Sequence, residues 1–227
     1  MEKIILDKIN REEAFRYMAA EGYSPEGAMA ELADECEQEL IAAASPFYTY
    51  RVFEIADNNG EKVTLKDCPL LFEGKDISSL LKGCHSAAVM CATVGAGADL
   101  LIRKYQIENM AKAFIADAFA SAAAEQVCNK FDELLKEKYP DKFITWRFSP
   151  GYGDFPISIQ RELLDVLNAG RLAGICVNKS GMLTPIKSVT AVCGISDSEL
   201  PRGKRGCASC LLKGECAFRK RGTRCEF

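Results

Sequence analysis

One short stretch of the chain combines an arginine, two glycines and a tyrosine at a sharp bend. The segment Arg147-Phe-Ser-Pro-Gly-Tyr-Gly-Asp154 follows a predicted strand, and its Pro-Gly pair predicts a tight turn. A guanidinium at such a corner can bind a carboxylate through two parallel hydrogen bonds. Gly151 and Gly153 carry no Cβ, so their backbone amides could approach a ligand closely. The spacing fits equally an arginine paired with an acid of the protein itself, so it leaves both interpretations open.

Four cysteines near the C-terminus have the spacing of a metal site. Cys207, Cys210, Cys216 and Cys225 form a C-x2-C-x5-C-x8-C pattern. A C-x2-C pair directs two sulfurs toward one ion, and two further thiolates can complete a zinc site or hold an iron–sulfur cluster. Residues 201–227 contain eight Lys or Arg against two Glu, and this positive charge favours thiolates. The pattern predicts a metal or cluster site. Zinc, iron–sulfur and an unliganded basic tail all stay open as alternatives.

No catalytic constellation stands out elsewhere. His85 is the single histidine and follows a cysteine at the start of an apolar segment, so we interpret it as a strand-edge residue rather than a metal ligand. Val94-Gly-Ala-Gly97 predicts a strand-to-helix turn, which more often serves packing than nucleotide binding. Glu125 and Asp154 are acids that could neighbour a ligand or lie at the surface. We therefore predict a binding protein with no catalytic residue of its own.

Length, composition and charge limit the class of protein. The 227 residues are 48% hydrophobic and 27% charged, which is typical of a folded globular chain. We expect one domain over residues 1–200 and a basic, Cys-rich appendage over residues 201–227. The net charge of −3 hides an asymmetry of −9 in the first 200 residues and +6 in the rest, which argues against a nucleic-acid partner. No apolar run approaches the length of a membrane span, and we expect a cytoplasmic protein.

The elements that position these residues are predicted from capping signals and apolar periodicity. The longest is an Ala-rich helix from about Glu108 to Lys138, broken by Pro140. Other helices are predicted over residues 11–20, 25–44, 76–81 and 159–167, and strands over 47–55, 62–66, 86–94, 143–148, 174–177 and 186–194. Asn58-Asn59-Gly60 predicts a hairpin turn between the first two strands. Because helices and strands do not alternate, we predict an α+β fold with a central twisted antiparallel sheet flanked by helices.

The order of several motifs resembles the activation domain of vitamin B12-dependent methionine synthase. These motifs are Arg147-x-x-x-Gly151-Tyr152, then Gln160, an apolar helix ending near Leu167, the run Gly174–Met182, and Pro185-x-x-Ser188-Val189. The resemblance covers roughly residues 108–195 and begins with the Ala-rich helix that carries Glu125. It implies an α+β domain that binds S-adenosylmethionine and caps a cobalamin domain. In that family an electron from a reductase partner reduces oxidised cobalamin, and the sulfonium methyl is then transferred to cobalt.

The resemblance also implies roles for particular residues. Arg147 would hold the methionine carboxylate of the ligand, and Gly151 and Tyr152 would shape its pocket. The cobalamin would be carried by a partner, because the Asp-x-His-x-x-Gly signature of the cobalamin-binding module is absent from this sequence. We therefore expect a stand-alone activator of methionine synthase or a related corrinoid protein. It would be an accessory component that needs an electron donor.

Two further departures from the family concern the ligand site. Residues 194–201 contain no tyrosine where the family places a ligand-contacting pair, and an acidic position of its long helix is Ser121 here. Two alternatives therefore stand beside the activator hypothesis. One is an iron–sulfur electron carrier that no longer binds S-adenosylmethionine. The other is a zinc-stapled protein that only docks on a corrinoid methyltransferase.

Overall fold

The computed structural model describes residues 4–18, 20, 22, 25–200 and 214–215. The helices, in chain order, are α1 (Arg11–Tyr17), α2 (Ala28–Ala43), α3 (Lys75–Leu80), α4 (Ala96–Glu108), α5 (Met110–Lys138), α6 (Gln160–Leu167) and α7 (Ala169–Ala173), with a 3-10 turn at Ile157–Ile159 before α6. The strands are β1 (Phe47–Asn58), β2 (Lys62–Leu65), β3 (Leu71–Glu73), β4 (Ser86–Thr93), β5 (Phe143–Ile144), β6 (Cys176–Val177), β7 (Leu183–Thr184) and β8 (Ser188–Ser196).

Six of the strands form one antiparallel sheet in the order β3-β2-β1-β4-β8-β5, and β6 pairs with β7 separately. β4 lies in the middle and is buried along its whole length. On its β8 side, the amide of His85 donates to the carbonyl of Ile195 at 3.0 Å, and that of Val94 donates to Lys187 at 3.0 Å. The residue number rises from His85 to Val94 on one strand and falls from Ile195 to Lys187 on the other, so β4 and β8 are antiparallel. The predicted α+β class, with its antiparallel sheet and one long Ala-rich helix, is confirmed.

The chain clusters into two compact units. The first contains Met1–Arg51, Val89–Pro140 and Gln160–Ala191, and the second contains Val52–Ala88, Asp141–Ile159 and Val192–Phe227. The first unit is organised around α5, whose 29 residues span about 44 Å at 1.5 Å per residue. Asn109 caps it, since its side-chain oxygen accepts from the amide of Ala111 at 3.0 Å. Helices α1, α2 and α4 all contact α5.

Small residues allow these helices of the first unit to approach closely. The buried face of α5 is rich in alanine, with Phe119 filling the space against Phe15 of α1 at a centroid distance of 6.1 Å. The start of α4 approaches the end of α2 even more closely. A Cβ on Gly97 would lie 2.0 Å from the carbonyl oxygen of Ala43. Gly97 therefore serves helix packing, as the packing interpretation of the Val94–Gly97 turn predicts.

The second unit contains the β1–β2 hairpin, β3 and α3. Asn58 and Asn59 form the predicted turn: the Asn58 side-chain oxygen accepts from the amide of Gly60 at 3.1 Å, and that of Asn59 accepts from Lys62 at 2.8 Å. β2 pairs with β1 and with β3, antiparallel in both cases. The core of this unit includes Phe72 and Phe155, which meet edge to face at 5.7 Å.

Several predicted boundaries were wrong by a few residues. The second helix begins at Ala28 rather than Pro25, because Gly27 has φ +55° and ψ −135°, which no helical residue adopts. The predicted strand over residues 143–148 is reduced to Phe143–Ile144 with an isolated bridge from Phe148 to Val192. Sequence patterns also missed β3, α7 and β7, which are two to five residues long. They missed the 13-residue helix α4 as well, for which only the preceding strand-to-helix turn was predicted.

Candidate functional site

Arg147 is held at a defined place beside β8. Its neighbours on both sides bond to that strand. The amide of Thr145 donates to the carbonyl of Gly194 at 2.9 Å, and Phe148 and Val192 exchange two backbone hydrogen bonds of 2.9 Å. The Thr145 hydroxyl also accepts from the amide of Gly194 at 2.8 Å. The backbone of the half-buried Arg147 is thus fixed between two anchored residues.

A compact turn follows directly. The amide of Tyr152 donates to the carbonyl of Ser149 at 3.3 Å, and Gly151 donates to Phe155 at 2.8 Å. Gly151 has φ +91°, a backbone conformation that strongly favours glycine. Phe155 is buried and stacks on Phe148 at 6.1 Å, which anchors the end of the turn in the core. Tyr152 projects from the turn with 53% of its surface exposed.

Asp154 closes the turn onto α3. Its two carboxylate oxygens accept from the amides of Lys75, at 2.7 Å, and Asp76, at 3.0 Å. These are the unpaired amides of the first turn of α3, so Asp154 acts as a helix cap supplied by a distant segment. Both of its oxygens are already engaged. Asp154 is exposed, so it is a surface charge that also makes this structural contact.

The first unit contains the other motifs of the resemblance. Gln160 is buried, and its side chain donates to the carbonyl of Gly181 at 2.6 Å and accepts from the Thr190 hydroxyl at 2.8 Å. It ties the β6–β7 hairpin to β8. The run Gly174–Met182 therefore contains β6 and the turn of a hairpin that β7 completes, and Gln160 fixes this turn from inside the unit.

Ser121, the position where the family has an acid, contacts a lysine. Its hydroxyl accepts from Nζ of Lys187 at 2.9 Å, and Asp117, one turn earlier on α5, pairs with the same Nζ at 2.8 Å. The side chain of Lys187 is only 13% exposed. Asp117 thus supplies a carboxylate beside Ser121.

His85 lies at the start of β4, in agreement with its interpretation as a strand-edge residue. Its Nδ1 is 2.8 Å from the Ser86 hydroxyl, and its Nε2 is 3.8 Å from a carboxylate oxygen of Asp197. Lys142 also bonds to Asp197, and this hydrogen bond and charge lower the pKa of the Asp197 carboxyl. The imidazole therefore lies in a polar surface cluster with Ser86 and Asp197.

The structure was searched for side chains that could bind a metal ion. Within residues 4–200, apart from the few undescribed positions, no cluster of three His, Cys, Asp or Glu side chains could hold a metal ion. Burial raises the pKa of the Cys91 thiol to about 12 and that of Cys36 to about 11, which leaves both as core residues. The predicted ligands Cys207, Cys210, Cys216 and Cys225 lie outside the described residues. None of the described helices is both long and apolar enough to span a bilayer.

Comparison with known proteins gives one informative result. No protein-family model and no curated protein sequence matches the chain. Solved structures do match. A crystal structure of the MetH reactivation domain bound to AdoHcy superposes with a TM-score of 0.66 at 13% identity, over 95% of this chain and 82% of that one. The chain has the fold of the MetH reactivation domain. The family resemblance found in the sequence is thereby supported at the level of fold, independently of the motifs that suggested it.

Sequence reasoning brought out Arg147, Gly151 and Tyr152 but missed what holds them. The cap formed by Asp154 joins segments 78 residues apart, and its partner helix is only six residues long. The one local signal is a glycine on each side, Gly74 and Gly153, next to an acid. Two glycines in distant segments do not by themselves indicate that these segments contact each other, so the clue could be recognised only in the structure.

Proposed function

We propose that this chain reactivates cobalamin-dependent methionine synthase, or a related corrinoid protein, by binding S-adenosylmethionine and presenting it to a cobalamin carried by a partner. The supporting observation is that the Arg147–Tyr152 motif occurs on the fold of a reactivation domain that binds AdoHcy. AdoHcy is the product that S-adenosylmethionine leaves after methyl transfer. We place this role in the cytoplasm.

Arg147 would bind the amino-acid carboxylate of the ligand. Its planar guanidinium suits a carboxylate through two parallel hydrogen bonds, and its backbone is fixed on both sides. The positive φ of Gly151 bends the chain there without a side chain in the way, and the exposed Tyr152 ring would cover one side of the ligand. One electron from a donor protein and the methyl group of S-adenosylmethionine would together convert cob(II)alamin of the partner to methylcobalamin, with AdoHcy released.

Calorimetric titration with S-adenosylmethionine and AdoHcy tests the ligand site. Loss of hydrogen bonds between charged groups costs roughly 1.5–3 kcal/mol, so Arg147→Ala should weaken binding about 10- to 100-fold. Arg147→Lys keeps the charge but not the fork and should bind with intermediate affinity. Arg103→Ala removes the same charge from an exposed position on α4 and should bind as the unsubstituted protein does.

Equal affinities for Arg147→Ala and Arg103→Ala would contradict the assignment of Arg147. Absence of binding by the unsubstituted protein would instead favour an alternative function, an electron carrier or docking protein without a methyl donor. A stable complex with a cobalamin-loaded partner would then support docking alone.

We further propose that residues 201–227 form a separate tail in which Cys207, Cys210, Cys216 and Cys225 hold an iron–sulfur cluster. The support is their spacing and the surrounding positive charge, which offsets the charge of four thiolates. A cluster in this place would suit the proposed function, because reactivation needs an electron delivered at low potential.

Anaerobic purification followed by absorption spectroscopy and elemental analysis tests the tail. A cluster predicts thiolate-to-iron absorption and iron bound to the protein, both lost when Cys207 and Cys210 are replaced by Ser. Zinc without such absorption would identify a structural site and remove the electron-transfer role. Protein free of both metals would leave the tail as a basic segment.

A further inference from the structure

The turn that carries Tyr152 is joined to α3 by reciprocal contacts, which we call the aspartate clasp (Gly74, Asp76, Gly153 and Asp154). The Asp154 carboxylate accepts from the amides of Lys75 and Asp76 at 2.7 and 3.0 Å. In return, the Asp76 carboxylate accepts from the amide of Asp154 at 3.3 Å. Each aspartate therefore bonds to the backbone of the other's segment.

The two glycines of the clasp make this approach possible. A Cβ on Gly74 would lie 2.6 Å from a carboxylate oxygen of Asp154 and 2.9 Å from its carbonyl oxygen. A Cβ on Gly153 would lie 2.0 Å from a carboxylate oxygen of Asp76. Gly74 has φ +134° and Gly153 has φ +54°, so the backbone itself also favours glycine at both positions. A larger residue at position 74 would therefore meet the backbone of Asp154, and one at position 153 would displace the Asp76 carboxylate.

The clasp matters because the turn lies at the surface. Residues 151–154 are exposed, and Phe155 is the nearest buried anchor on their C-terminal side. The turn also contains two residues with positive φ, Gly151 and Gly153. When a binding conformation is only partly populated, the apparent dissociation constant rises in inverse proportion to that population. A contact that holds the turn in one conformation therefore acts directly on ligand affinity.

We propose that Asp154 is a positioning residue for the ligand site formed by Arg147, Gly151 and Tyr152. It acts through the clasp, by holding the turn against α3, and its own carboxylate does not contact the ligand. This inference rests on the proposed function, since it assigns a role within the same ligand site.

The experiment compares Asp154→Ala and Asp154→Asn with Asp57→Ala, which removes an exposed carboxylate from the same unit. Titration with AdoHcy and S-adenosylmethionine should show about tenfold weaker binding for Asp154→Ala, equivalent to roughly 1.4 kcal/mol. Asp154→Asn keeps one acceptor oxygen for the helix and should bind about threefold more weakly. In the absence of ligand, hydrogen exchange of the 149–155 peptide should be faster in Asp154→Ala.

If Asp154 had only a structural role, its variants would have a lower melting temperature, but the folded variants would bind both ligands as tightly as the unsubstituted protein does. Equal affinities for both Asp154 variants and the Asp57→Ala control would overturn the inference and leave the proposed function standing. If Asp154→Ala does not fold, Asp154→Asn decides by the same criterion. If the unsubstituted protein binds neither ligand, the proposed function fails, and the positioning role fails with it.

Discussion

Gly97→Ala perturbs the close contact between the start of α4 and the end of α2 and should destabilise the protein clearly. The new Cβ would lie 2.0 Å from the carbonyl oxygen of Ala43, about 1 Å closer than real Cβ contacts come. That oxygen belongs to the backbone at the end of α2, so relief requires movement of α2 or α4 as a whole. Overpacking of this kind costs about 1–3 kcal/mol or more. Because the clash is with backbone, we take the upper end of this range, about 3 kcal/mol. Alanine recovers up to about 1 kcal/mol of helix propensity, which leaves a net loss of about 2 kcal/mol.

Thermal unfolding followed by circular dichroism measures this loss. For a protein of this size, about 2 kcal/mol corresponds to a melting temperature lower by roughly 4–8 °C. Gly170→Ala in α7 is the matched control, because its Cβ would lie 3.8 Å from the nearest heavy atom, the carbonyl oxygen of Ile175. That variant should be neutral or up to about 1 kcal/mol more stable. A Gly97→Ala protein as stable as Gly170→Ala would refute the packing role of the Val94–Gly97 turn.

Two further predictions concern titration and thiol reactivity. Lys142 holds the pKa of the Asp197 carboxyl below its usual value, so this pair stabilises the fold above the unfolded pKa, and the stability is lost as pH falls through the folded pKa. Denaturant unfolding should therefore show a smaller loss of stability on acidification for Asp197→Asn than for the unsubstituted protein, and identical losses would argue against the interaction. Cys176 is exposed, whereas Cys91 is buried with a pKa raised to about 12, so iodoacetamide should modify Cys176 first in the native protein. Peptide mass spectrometry that finds Cys91 modified as fast would contradict this burial.

Elements with strong local signals were predictable. β4 is a nearly continuous apolar run, which is the pattern expected of a strand that is buried on both faces. The Asn58-Asn59-Gly60 turn and the Asn10 cap of α1 depend on side chains that bond to their own neighbourhood. The long helix followed from its alanine content and the proline after its end. In each case the deciding interaction lies within a few residues of the signal.

Other features depend on a backbone conformation or a distant partner that the local sequence does not indicate, so they could not be predicted. The start of α2 moved to Ala28 because Gly27 adopts a positive φ that no composition signal reveals. The short strand β3 forms only because β2 is already present to pair with it. For the candidate site, the Arg147–Tyr152 turn was visible in the sequence. The partner of Asp154 was not, since the amides it caps are 78 and 79 residues away.

Methyl transfer to a separate cobalamin protein is the reaction that the proposed reactivation function requires. The chain is mixed anaerobically with cob(II)alamin on a methionine synthase fragment that lacks its own reactivation domain, together with a one-electron donor and methyl-labelled S-adenosylmethionine. We predict that label moves to the cobalamin and that AdoHcy forms in equal amount, only when this chain is present and much more slowly with Arg147→Ala. Formation of methylcobalamin at the same rate without the chain, or none with it, would refute the reactivation function.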